Sequence, residues 1–168
     1  MSHPLVVALF PTPDVAAEAA RALHAAGITA DQISIISRNH DEETALAADV
    51  GGTPGVEIED SRTAARLGEL SGYILAAMAL VLPGMGPIVA AGPLAAGLGE
   101  AAGHAAGGVA SALSGAGVAR ARADALQKAI EDGAILLAVH TADSRVASIR
   151  EILAAAGATQ VETANWSE

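Results

Sequence analysis

The ends of this chain repeat each other. Offsetting the sequence by 130 positions aligns Ala17 with Ala147, Leu23 with Leu153, Ala26 with Ala156, Gly27 with Gly157 and Thr29 with Thr159. Leu5 to Ile35 and Ile135 to Thr163 each read as strand, helix, strand. Punctuation repeats along with hydrophobicity. Thr12 can cap the first helix with Pro13 in the first turn, where a missing N–H does no harm, and Thr141 or Asp143 can do the same in the second half. Gly27 and Gly157 fall where each helix must stop in a left-handed conformation. Two such halves predict an α+β fold, a ferredoxin-like sandwich of duplicated βαβ units with four antiparallel strands in the order 4-1-3-2 and two helices on one face.

Strand composition assigns positions in that sheet. Leu5 to Phe10 and Ile135 to Val139 are nearly unbroken apolar runs, as expected of central strands buried on both faces. Ile33 to Ser37 is mixed and Thr159 to Thr163 mostly polar, which suits the edges. Apolar central strands also require that the second sheet face be covered. Either the segment between the halves or a partner subunit must supply that cover.

That segment divides the chain into an α+β domain, residues 4–38 plus 120–164, an acidic loop at 39–63 and an apolar insert at 64–119. Gly51, Gly52, Pro54 and Gly55 mark the loop. From Leu70 to Leu98 there is no charged residue, and from Ala101 to Ala119 none either. Pro83, Gly84, Gly86, Pro87, Gly92 and Pro93 interrupt the apolar run. The pattern predicts a helical hairpin, with arms from about Ala64 to Leu82 and Leu94 to Ala119, followed by an amphipathic helix from Arg120 to Glu131 that returns through Gly133.

The second arm carries a glycine zipper. Ala91, Ala95, Gly99, Gly103, Gly107, Ser111 and Gly115 recur at every fourth position, which on one helix would form a face almost free of side chains. Glycine inside a helix costs roughly 0.5–1 kcal/mol relative to alanine, so a series of them implies compensation by close helix packing. This predicts a homo-oligomer. Leu75, Met78, Val81, Met85 and Ile88 could then line a dry interior that holds a lipid or quinone.

A bilayer is the other setting for such a hairpin. Arg62 and Arg66 before it and Arg120, Arg122 and Lys128 after it would hold both ends on the cytoplasmic side, at the inner face of the membrane. Against this, Leu70 to Leu82 would rise only about 20 Å as a helix, short of a hydrocarbon core of roughly 30 Å. Alanine and glycine also supply little transfer energy. No basic n-region or cleavage site marks a secretory signal, so a cytoplasmic location is expected.

Composition narrows the chemistry. A net charge of −10 offers no basic stripe for nucleic acid. With no cysteine, disulfides, thiolate metal sites and thiol nucleophiles are absent together. His3, His24, His40, His104 and His140 lack the spacing of a metal-binding helix. His40 beside Asp41, Glu42 and Glu43 reads as a solvated acidic loop, and His104 in the zipper arm reads as facing solvent rather than an oligomer axis. No phosphate loop follows a strand. Ser111 and Ser114 lack a base, and Glu57, Glu59 and Asp60 have no buried setting to raise their pKa. The expectation is a non-enzymatic protein with no catalytic residue, metal or cofactor.

The opening VVALFPTPDVAAEAARALHAAGITADQISIISR, the central VLPGMGPIVAAGPLAAGLG and the return ALQKAIEDGAILLAVHT resemble the bacterial general stress protein family, the heat-induced stress protein domain. The proline-glycine run from Leu82 to Gly99 is the most specific part, and the likeness covers most of the chain. It departs in the long acidic linker from His40 to Asp60. The resemblance implies a stress-associated protein without an assigned activity, and it carries over no catalytic residues.

Overall fold

A computed structural model of the chain describes residues 3–38, 78–82, 86–102 and 108–166. The fold is α+β, built on one six-stranded antiparallel sheet. In chain order the elements are β1 (His3–Phe10), α1 (Pro13–Ala25), β2 (Ile33–Arg38), β3 (Met78–Leu82), β4 (Gly86–Ala91), α2 (Pro93–Ala102), α3 (Val109–Gly115), α4 (Arg120–Glu131), β5 (Ile135–His140), α5 (Val146–Ala155) and β6 (Gln160–Trp166). Short 3-10 turns at Ala30–Gln32 and Asp143–Arg145 precede β2 and α5. The strand order is β3–β4–β2–β5–β1–β6.

The strand–helix–strand halves lie where the repeat puts them, and much of their punctuation is as expected. Thr12 is the N-cap of α1, its hydroxyl accepting from Val15 N at 3.4 Å, and Pro13 opens the helix. Gly27 and Gly157 have φ of +82° and +95° after α1 and α5. The second N-cap differs. Thr141 N donates to Pro4 O at 3.0 Å, so this residue completes the strand ladder, and α5 begins from the 3-10 turn with no capping side chain from Thr141 or Asp143.

Pleat alternation sends the central strands into two cores. Val6, Ala8 and Phe10 of β1 and Ile135, Leu137 and Val139 of β5 pack with Ala16, Ala19 and Leu23 of α1 and Ile149 and Leu153 of α5. Leu5, Val7 and Leu9 with Leu136 and Ala138 face the other way, against Leu94 and Leu98 of α2, Val109 and Leu113 of α3, and Leu126 and Ile130 of α4. The insert of the same chain therefore covers the second face.

The insert differs from a helical hairpin. The described end of its first arm, Met78–Leu82, is a strand, and Gly86–Ala91 pairs with it and with β2; residues 64–77 and the loop at 39–63 lie outside the described residues. A free β2 edge presents unpaired N–H and C=O groups, and two apolar segments flanking a proline-glycine link can satisfy them as a strand pair. Consequently β2 is an interior strand, buried from Ile33 to Ser37, and not an edge. The insert joins the sheet of the end-derived strands instead of projecting from it. Nor is 94–119 one helix: α2 ends at Ala102, α3 ends at Gly115, and Gly117 turns the chain at φ +89°.

Polar groups under the insert are matched to helix starts. Ser34, fully buried on β2, accepts from Leu94 N at 3.0 Å in the first turn of α2. Gln127 of α4 accepts from Ala110 N at 2.9 Å in the first turn of α3. Gly92, at φ +85°, swings the chain from β4 onto α2 so close to β2 that an added Cβ would lie 2.0 Å from Ile33 O. Only glycine fits that crossing.

Chemical denaturation of two alanine variants checks this packing. Gly92→Ala should lose about 1–3 kcal/mol or more, since backbone cannot yield as a side-chain tip can. Gly97→Ala, in α2 with open space around it, should be neutral or gain up to about 1 kcal/mol.

Candidate functional site

The seven zipper positions do not share one helix. Ala91 ends strand β4 and is buried in the sheet, Ala95 is buried on the inner side of α2, and Gly99 lies in the same helix. Gly103 and Gly107 lie outside the described residues. Ser111 is half-buried in α3 and Gly115, at its end, is exposed with nothing near an added Cβ. The four-residue register runs through the turn at Gly92 and the separation of α2 from α3, so it is not a continuous groove. The outer side of these helices nevertheless has open stretches, at Gly97 and Gly115.

The expected apolar lining is not assembled around a described cavity. Ile88 is fully buried in the core between sheet and insert helices, where its side chain is taken up by packing. Met78 and Val81 belong to β3, and Leu75 and Met85 lie outside the described residues.

A cleft of about 370 Å³ lies where the turn between α3 and α4 meets the β1–β6 side of the sheet. Val7, Gly117, Val118, Arg122, Glu162 and Asn165 are among its walls. Gly117 sets its shape, because a Cβ there would stand 1.9 Å from Asn165 O. Pro4 O is turned toward Thr141 N and Pro4 is paired with Asn165, so antiparallel alternation turns the Asn165 backbone outward, to the free edge of β6. The insert thus presses on that edge as well as on the sheet face. Arg122 reaches across to pair with Glu162, their side chains 55 % and 22 % exposed. With its guanidinium and carboxylate engaged with each other, the cleft presents no free acid, base or nucleophile from this pair.

A second polar cluster sits at the end of the same face. The ring of His140 packs on Trp166 with centroids 4.5 Å apart and planes at 52°. Its Nε2 is buried without a hydrogen-bond partner among the described residues. Burial, and secondarily His3, lower its pKa from the ordinary imidazole value. A ring nitrogen of His24 meets Ile28 O at 3.3 Å at the end of α1. His40 and His104 lie outside the described residues. Among the described residues no three His, Asp or Glu side chains converge as a metal site.

Neither the cleft nor the His140–Trp166 contact was singled out by sequence reasoning. Alternation along β6 does place Glu162, Ala164 and Trp166 on one face, but β5 and β6 are brought together only through β1, by pairings that span more than a hundred residues.

Because the Arg122 side of the pair is more than half exposed, Glu162→Gln should change the unfolding free energy by about 1 kcal/mol or less, with the difference shrinking in high salt. Denaturant titration at two salt concentrations measures it. In comparison with known proteins, the chain matches no family model, no curated protein and no solved structure.

Proposed function

We propose that this protein is a non-enzymatic, stress-associated assembly protein that associates with copies of itself through the outer side of the insert helices. One observation carries the reading. Helix α2 has a single charged residue, Glu100, and α3 has none, although both lie on the surface of the fold. Their leucines and valine, Leu94, Leu98, Val109 and Leu113, already pack against the chain's own sheet. Among the residues of these helices whose exposure is described, Gly97 and Gly115 are exposed and Ser111 and Ala112 half-buried. A surface helix without a polar face is unusual for an isolated molecule, and exposed glycines let a second backbone approach closely.

The strand order β6–β1–β5–β2 of the two halves, with α1 and α5 together on one face, supports a ferredoxin-like sandwich. In this reading the insert acts as an internal cover and its outer side as the assembly surface. The stress association rests on the family resemblance of the sequence. A cytoplasmic location goes with this reading. Anchoring at the inner face of the cytoplasmic membrane is the alternative, although among the described residues no helix is long and apolar enough to cross a membrane.

Light scattering with and without detergent tests the proposal. The purified protein should have a mass that is a multiple of 16.5 kDa. Gly97→Leu combined with Gly115→Leu should reduce it to the single-chain value without loss of helix signal, since open space surrounds both positions within one chain. A wild-type mass of one chain would refute assembly, and recovery only in the membrane fraction would favour anchoring.

A further inference from the structure

We propose that the contact between His140 and Trp166 is an acid-sensitive latch that holds the end of edge strand β6 against the sheet. The argument starts from register. Leu136 and Ala138 of β5 face the insert-side core, and His140 continues their row. Leu5 of β1 is paired with His140, and His3, two residues back on the same strand, is paired with Trp166. Three strands thus bring two imidazoles and one indole to the same end of one sheet face.

This arrangement accepts a neutral ring. His140 Nε2 is buried with no acceptor among the described residues, so a proton placed there would leave a desolvated charge without a hydrogen bond. Among the described residues, the elements around the ring offer its Nε2 no hydrogen-bond acceptor. From β1 comes His3, itself a cation when protonated. From β6 comes Trp166, whose strand has its carboxylate, Glu162, engaged with Arg122 four positions away. The 3-10 turn before β2 contributes Gln32, whose neutral amide donates to His140 O at 3.1 Å. Among the described residues, His3 is the one charge that acts on the ring, and it acts in the same direction as burial.

The sign follows. A histidine whose pKa is lowered in the closed state binds its proton more readily once the contact opens. The latch therefore has its full strength above the ordinary imidazole pKa of about 6.5 and weakens as the pH falls through the lowered value. On protonation the Trp166 end of β6 should separate from the sheet, while the rest of the strand keeps its pairing with Val7 and Leu9.

Trp166 is the sole tryptophan, so its fluorescence reads this contact directly. In the full chain, emission should change with a midpoint below about pH 6.5 when the pH is lowered from about 8, while far-UV circular dichroism stays constant. His140→Phe, which keeps an aromatic ring for the stack, should abolish the transition. His3→Asn should leave the transition in place and move its midpoint upward, because a like charge has been removed. The proposal is overturned by a flat wild-type titration, by a transition that persists in His140→Phe, or by loss of dichroism at the same midpoint, which would make the change global unfolding.

Discussion

Everything in this molecule depends on a sheet whose central strands are apolar on both sides. Leu5 to Phe10 and Ile135 to Val139 have no face that tolerates water, and each large side chain left uncovered would forfeit about 1.5–3 kcal/mol of burial. The helices of the duplicated halves can close only one side. Closing the other is the task of the insert, and that requirement explains why β3 and β4 extend the sheet while α2, α3 and α4 lie across it.

Small residues make that cover possible. With aromatic residues at 2 %, the second core is built from alanine, leucine, isoleucine and valine, and its elements can sit close together. At Gly92 and Gly117 the backbones come closer than any side chain would permit, the first over β2 and the second at the free edge of β6. A bulkier insert would stand off from the sheet, and a sheet edge so approached is shielded from other strands.

The two halves were largely legible in the sequence because their signals are local. Thr12, Pro13, Gly27 and Gly157 each state a backbone requirement in their own residue type, and continuous apolar runs identify strands buried on both sides. The need for a cover was also readable from those runs. The insert was not, for a physical reason: a stretch such as MALVL followed by GPIVAA has apolar residues throughout and hence no period to separate strand from helix. Its strand state comes from the unpaired edge of β2, which local pattern does not reveal. Counting every fourth position likewise passes through Gly92, where the chain changes from strand to helix. The cleft and the His140–Trp166 contact lay further out of reach, since their residues meet only once the register of β1, β5 and β6 is known.

The same interleaving of halves governs the order in which a nascent chain can fold. Strand β5 lies between β1 and β2, so Leu5 must await His140 and Ile35 must await Leu137 before either strand acquires its inner neighbour. While synthesis proceeds through the insert, β2 can gain β4 on one side, but β1 has no strand to pair with. Strand β1 is thus left without either of its eventual neighbours until the second half of the repeat has been made, a high-contact-order topology of the kind that folds slowly.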